Sequence, residues 1–316
     1  MLSFANRRDI LPLHSYAVNW QVYAIYKEII KVSMKYLIFV SALWAFSFGL
    51  IKGELTGIDS QLVAAIRLSL CALVFLPLLW FTQATNLSLR KASQLIALGA
   101  IQFGVMYLAY IQSYQYLPGY LVAVFTIFTP LYVILIDSIW HRRWQAKLLW
   151  PVLLSICAAA VIVFRTPEQG QYLTGFLYLQ LANVAFALGQ VAYRYIASDE
   201  GHARNMFWMY LGGALLTVIA TLLTVDFALV SISNRQFMVL VYLGVIASGI
   251  GFYCWNKGAS RVSALQLAIM NNGYVPLAVL FAVLIFGESA DWLRLLIGSG
   301  LLVTALWLAD KMNKGT

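Results

Sequence analysis

Residues 266–289, QLAIMNNGYVPLAVLFAVLIFGES, would read as a plain membrane-crossing segment but for Asn271, Asn272, Gly273 and Tyr274, with Pro276 just beyond. A carboxamide both donates and accepts hydrogen bonds. Deep in a bilayer it needs a partner, either a neighbouring helix or a polar solute. Gln266, Met270 and Tyr274 are spaced by four, which places them on one stripe of a continuous helix with Asn271 alongside. Pro276 cannot bond to the carbonyl of Asn272, and Gly273 admits close backbone approach, so the segment is expected to bend where the amides lie. This chemistry suits a zwitterionic or amide-bearing solute. At least one of Asn271 and Asn272 is expected to line a cavity, against the plainer reading of a helix-to-helix hydrogen bond.

Other polar and aromatic groups sit at comparable depth. Asn183, Phe186 and Gln190 follow i, i+3, i+7 on one helical face, and Trp44, Ser47 and Ile51 do the same near the start of the chain. Phe125, Thr126, Phe128 and Thr129 precede Pro130 and Tyr132. Tyr107 and Tyr110, with Phe252 and Trp255, would complete an aromatic lining. Ordinary packing is the alternative for all four, and interfacial anchoring for Trp255. Arg67 is the basic residue inside an apolar run; snorkelling to an interface is the plain reading, attraction of a carboxylate substrate or pairing with a helix end are the others, and a structural role is preferred. Asp137 is the carboxylate inside a run, a proton-coupling candidate whose plainer role is counterion to Arg142 and Arg143.

Catalysis and metal binding find no material. Cys71, Cys157 and Cys254 lie in apolar runs without metal or disulfide spacing and read as small buried hydrophobes, while His14, His141 and His202 fall in the tail or in polar loops. No cofactor is expected, and an intramembrane enzyme would need a constellation that is missing.

These groups must be positioned by membrane helices. The chain of 316 residues is 62% hydrophobic and 10% charged, with mean hydropathy +0.81. Apolar runs of about 20 residues recur throughout. Ten spans are read at 36–51, 61–81, 92–114, 120–140, 148–164, 173–193, 206–225, 237–255, 265–286 and 292–309. Of the 21 basic residues, sixteen fall on one side: Arg7, Arg8, Lys27, Lys31, Lys35, Arg90, Lys91, Arg142, Arg143, Lys147, Arg194, Arg204, Lys257, Arg261, Lys311 and Lys314. Lys52, Arg165, Arg235 and Arg294 fall on the other. The asymmetry puts both termini in the cytoplasm and accounts for the net charge of +9 without nucleic acid. Residues 1–34 form a cytoplasmic tail, read either as a surface amphipathic helix or, preferably, as an extension upstream of Met34.

The sequence also repeats itself. ALWAFSFG (42–49) matches ANVAFALG (182–189); LGAIQFGVMYLAY (98–110) matches LGVIASGIGFYCW (243–255); TPLYVILIDSIWHR (129–142) matches VPLAVLFAVLIFGE (275–288), all in the same order. Five spans per copy is odd, so the second copy enters the membrane from the opposite side. The fold expected is therefore an all-α polytopic membrane protein of ten transmembrane helices in two inverted-topology five-helix repeats, 35–165 and 166–310, followed by a short cytoplasmic tail, 311–316. Inverted repeats are a mark of secondary transporters, which bind substrate near the midplane and alternate access.

With LWAFSFGLIK (43–52), Arg67 in AAIRLSL, Pro130 in TPLYV, YLGVIASGIGFYCWNKGASRVSA (242–264), and VPLAVLFAVLIFGE with Gly298, the chain resembles the EamA-type ten-helix carriers of the drug/metabolite transporter superfamily. The resemblance implies a multi-pass protein of the bacterial inner membrane that exports a small organic metabolite such as an amino acid, with proton or other ion coupling as an option, working as monomer or homodimer. A permease for nucleotide-like or amine solutes is the alternative, and a receptor ranks lower. Relatives commonly end both proline helices in Gly-Glu. Here Glu288 keeps that position, a structural or coupling candidate, and Arg142 stands there in the first copy, so whatever the glutamate does in the first half of relatives does not carry over to this chain.

Overall fold

The computed structural model describes residues 18–55, 57–81, 87–113, 115–117, 122, 125–142, 144, 146–163, 172–196, 201–285 and 291–314. Among these the regular structure is helical throughout, and it follows the ten spans. The first helix, Val18–Glu54, starts inside the segment expected as a tail and runs unbroken into the membrane part. The second span comprises Ser60–Phe75 and Leu78–Phe81, parted at Pro77. The third runs Leu89–Ser113, the fifth lies within Ala146–Ile162, the sixth is Tyr172–Ile196, the seventh His202–Thr224, the eighth Asn234–Ala259 and the tenth Trp292–Lys314. Six helices among the described residues are long and apolar enough to cross a membrane, with shorter apolar helices beside them.

Helix contacts repeat with a twofold pattern. The third span packs on the seventh as the eighth packs on the second; the third meets the sixth as the eighth meets the first; the first meets the ninth as the sixth meets the fourth. The second and seventh spans pack on each other, as do the fifth and tenth. Exchanging the two halves leaves this set unchanged, which is the architecture of two five-helix repeats.

Two irregularities recur at equivalent places. The third span winds as π-helix over Ala100–Val105 and the eighth over Tyr242–Ile250. π-Winding inside an α-helix is rare and often functional. Both stretches carry glycines that neighbouring helices need: a Cβ on Gly104 would sit 2.8 Å from Leu216 Cδ2, and one on Gly244 would sit 2.8 Å from Leu70 Cδ1. The fourth and ninth spans are broken before their prolines. Turns at Ile127 and Phe128 precede the helix Thr129–His141, and Asn271–Gly273 separates Ala264–Met270 from Tyr274–Leu284.

In the ninth span the irregularity lies where the bend is expected and takes the form of a tightened turn, the Asn272 and Gly273 N–H groups donating to the carbonyls three residues back at 3.0 and 2.9 Å. The carbonyl that Pro276 cannot serve, that of Asn272, accepts the Val275 N–H at 3.1 Å instead. A continuous stripe through Gln266, Met270 and Tyr274 consequently does not exist. Cys71 and Cys254 are buried as expected, whereas Cys157 is exposed. Its place on an apolar span makes that a surface for lipid. His202 is not in a loop: it opens the seventh helix four residues earlier than the span read at 206–225 and is buried, its Nδ1 2.7 Å from the Tyr193 hydroxyl.

Candidate functional site

The broken helices and the π-wound helices surround a cleft of about 810 Å³, counted to its open mouth. It is lined by Trp44, Ser47 and Ile51 of the first span, Arg67 of the second, Met106, Tyr107 and Tyr110 of the third, and Thr126 and Thr129 at the break in the fourth. Ala182, Asn183 and Phe186 of the sixth span, Phe252 of the eighth, and Asn271 and Tyr274 at the break in the ninth complete it. Both repeats thus contribute, and no carboxylate is among these lining residues.

The two breaks meet across the cleft, where the Thr126 Oγ1 and the Tyr274 hydroxyl lie 2.9 Å apart. Backbone freed by the fourth-span break is satisfied by side chains, as a membrane interior demands. The Phe125 carbonyl accepts from Asn183 Nδ2 at 2.9 Å and from Gln180 Nε2 at 3.4 Å, and Gln180 Oε1 accepts from the Tyr132 hydroxyl at 3.0 Å. Asn183 is therefore both liner and brace.

Asn271 and Asn272 part company at the turn. Asn271 reaches the cleft, with its Nδ2 donating to the Leu267 carbonyl at 2.9 Å and its amide facing that of Gln190 at 3.2 Å. Gln190 Oε1 also accepts from Trp255 Nε1 at 2.9 Å. Gln190 and Trp255 are both buried, so they lie behind the cleft wall and hold Asn271 rather than line the cleft. Trp255 is no interfacial anchor. Asn272 points away from the cleft, its Nδ2 donating to the carbonyls of Ile127 at 3.3 Å and Ser155 at 3.2 Å, and it ties the two breaks to the fifth span. Gln266 is also elsewhere: it forms a capping box with Ser263 at the start of its helix.

One wall is aromatic. The Trp44 ring lies 4.9 Å from Trp255, 5.3 Å from Phe252 and 5.9 Å from Phe186, and its Nε1 donates to the Ala247 carbonyl at 3.0 Å. That carbonyl belongs to the π-wound stretch, where Ser248 and Gly249 carbonyls likewise accept from the Tyr210 hydroxyl at 3.2 and 2.6 Å.

Arg67 is buried, and its guanidinium meets no helix end. Nε and Nη2 donate to the Ser248 Oγ at 3.2 and 2.9 Å, and the group lies 4.7 Å over the Tyr107 ring. Ser248 and Met106 escaped the sequence reading. A signal for Ser248 exists in the aligned blocks, where a hydroxyl stands opposite Phe103 within LGVIASGIGFYCW.

Asp137 lies outside the cleft. Its Oδ1 accepts from the Tyr195 hydroxyl at 2.8 Å and lies 3.7 Å from Arg194 Nη1, while His141 stands 3.5 Å from Oδ2. The arginine it meets is Arg194 of the sixth span, not Arg142, which closes the fourth helix in a left-handed conformation at φ 52°. Glu288 and Arg143 lie outside the described residues. Pro130 and Pro276 open the helices beyond the two breaks.

Comparison with known proteins fits this geometry. The model of the EamA-like transporter family matches residues 32–165 and again 173–309. The chain is 39% identical over 280 residues to the probable biotin transporter of Pseudomonas aeruginosa, covering 87% of this chain and 96% of that one. It is 36% identical to the biotin transporters of Salmonella typhimurium, over 282 residues, and Escherichia coli K12, over 285, covering 88% of this chain and 93% of each. A solved crystal structure superposes with a TM-score of 0.73 at 18% identity, over 90% of this chain and 98% of its own, which supports the fold. Paired repeats, a cleft built from both, and two successive family matches together place the chain in the EamA-like transporter family.

Proposed function

We propose that this protein is a biotin carrier of the bacterial cytoplasmic membrane, moving its substrate through the cleft by alternating access with both termini in the cytoplasm. The observation that carries the reading is the division of the cleft into an amide- and hydroxyl-bearing side and an aromatic side. Biotin is divided likewise. Its ureido group offers two N–H donors and a carbonyl, which Asn271, Asn183, Thr126 and Tyr274 can complement. Its apolar bicycle and alkyl chain suit the surface of Trp44, Phe186 and Phe252. The names of the relatives at 36–39% identity point to the same solute.

An exported amino acid ranks second. A zwitterion asks for an acid beside its ammonium group, and the lining residues include none. Alternating access is supported by the paired breaks, because a helix already interrupted at the site can tilt one half without remaking a full hydrogen-bond ladder.

Counterflow in proteoliposomes tests the reading. Vesicles preloaded with unlabelled biotin should accumulate labelled biotin from outside. Counterflow of an amino acid with none of biotin would replace this substrate by the other.

A further inference from the structure

Resting on the biotin reading, we propose that Arg67 and Tyr107, set by Ser248, form a carboxylate-binding subsite at one end of the cleft. Donor counting carries the argument. A hydroxyl oxygen accepts through two lone pairs and donates one proton. Both acceptor positions of Ser248 Oγ are taken by Arg67, through Nε at 3.2 Å and Nη2 at 2.9 Å. The Tyr107 hydroxyl lies 3.1 Å from the same Oγ, so Ser248 must donate to Tyr107 rather than accept from it. The Tyr107 proton is thereby released for another acceptor, and no other acceptor for it stands among the described residues.

Arg67 has five N–H donors, of which Ser248 takes two. Its remaining donors, on Nη1 and on the second position of Nη2, find no acceptor among the described residues, and no carboxylate lies within ion-pair distance there. Both Arg67 and Tyr107 line the cleft while being almost wholly buried, at 5% and 6% exposed. A cationic group held at depth without a counter-charge is costly. Three or four donors converging on one side of a cleft, one of them permanently charged, define a receptor for a planar anion that can accept from more than one side.

Biotin ends in such a group. With the ureido ring at the amides of Asn271 and Asn183, the valerate chain would run along the aromatic wall toward Arg67. Ser248 acts through its neighbours as a positioning residue. The subsite predicts that the charged terminus is recognised as such: biotinamide, which keeps the rings and chain but not the charge, should bind more weakly than biotin. Losing charge-assisted hydrogen bonds corresponds to a preference of about ten- to a hundredfold.

The test measures biotin and biotinamide binding to purified wild-type protein, Arg67→Gln and Tyr107→Phe, by thermal shift and by competition in counterflow. Wild type should favour biotin by at least about tenfold. Arg67→Gln should lose the preference and bind the two alike, and Tyr107→Phe should fall between. If Arg67→Gln does not insert, the wild-type ratio and Tyr107→Phe still decide. Equal wild-type binding of biotin and biotinamide, or an unaltered preference in a folded Arg67→Gln or Tyr107→Phe, overturns the subsite and leaves the biotin reading standing. Binding of neither compound overturns the biotin reading itself.

Discussion

Replacing Asn271 and Asn272 by leucine, one at a time, separates two roles that adjacent identical residues would otherwise blur. Asn272 is fully buried and makes two hydrogen bonds to main-chain carbonyls, of Ile127 and Ser155. Such bonds inside a membrane average about 0.6 kcal/mol, so Asn272→Leu should cost about 1 kcal/mol of stability. Its Oδ1 has no partner among the described residues, and removing that atom offsets part of the loss. Asn271→Leu deletes an amide that faces the cleft and strips Gln190 Nε2 of its acceptor. A substrate group left without its partner costs about 1–3 kcal/mol, or roughly five- to 150-fold in affinity. The assay is biotin counterflow per molecule recovered as a monodisperse peak, alongside thermal melting in detergent. Asn272→Leu should melt lower and transport normally per folded molecule, whereas Asn271→Leu, which also gives up buried hydrogen bonds to Leu267 and Gln190 and should melt lower too, should lose at least about fivefold in apparent affinity per folded molecule. Wild-type transport by Asn271→Leu, or abolished transport by a normally melting Asn272→Leu, would refute the division of labour.

The same geometry sets further outcomes. Trp44→Ala removes three ring contacts within the aromatic wall, each worth about 0.5–1.5 kcal/mol, and should lower the melting temperature; by deleting a lining ring it should also raise the biotin KM in flux assays. Gly212→Ala would place a Cβ 2.0 Å from the Ile96 carbonyl oxygen and should sharply lower membrane yield, while Gly300→Ala, with nothing within 4 Å, should match wild type on the same blot. Asp137→Asn should leave the pH profile of transport unchanged, because Asp137 serves Tyr195 and Arg194 outside the cleft; a lost pH dependence would make it the coupling acid.

Much of the frame was legible because its signals are additive along the chain. Bilayer-length runs accumulate over about 20 residues, and the repeat blocks keep their order, so span number and duplication do not hang on any single residue. Helical spacing also put Trp44, Ser47 and Ile51 on one face, and the structure turns that whole face to the cleft. The failures lie where a helix stops being one. The spacing of Gln266, Met270 and Tyr274 assumes an unbroken ladder, and a three-residue turn at Asn271–Gly273 rotates the second half of the span relative to the first. The choice between Asn271 and Asn272 depends on that same turn. Ser248 was harder to place for a related reason: the aligned blocks show a hydroxyl opposite Phe103, but π-winding shifts which side chains share a face, so helical spacing does not turn Ser248 toward Arg67.

The paired π-wound stretches also separate what the two halves share from what they do not. Ala100–Val105 and Tyr242–Ile250 occupy matching places, with Gly99 facing Gly244 and Gly104 facing Gly249. The winding is thus a shared property of both five-helix units and not of one half. Arg67 and Asn271 have no equivalents in the other half, since no basic residue lies in the seventh span as read at 206–225 and Phe125 stands where Asn271 would. The cleft is therefore paired in its winding and unpaired in its chemistry, so the two halves can move alike while presenting a solute with different groups.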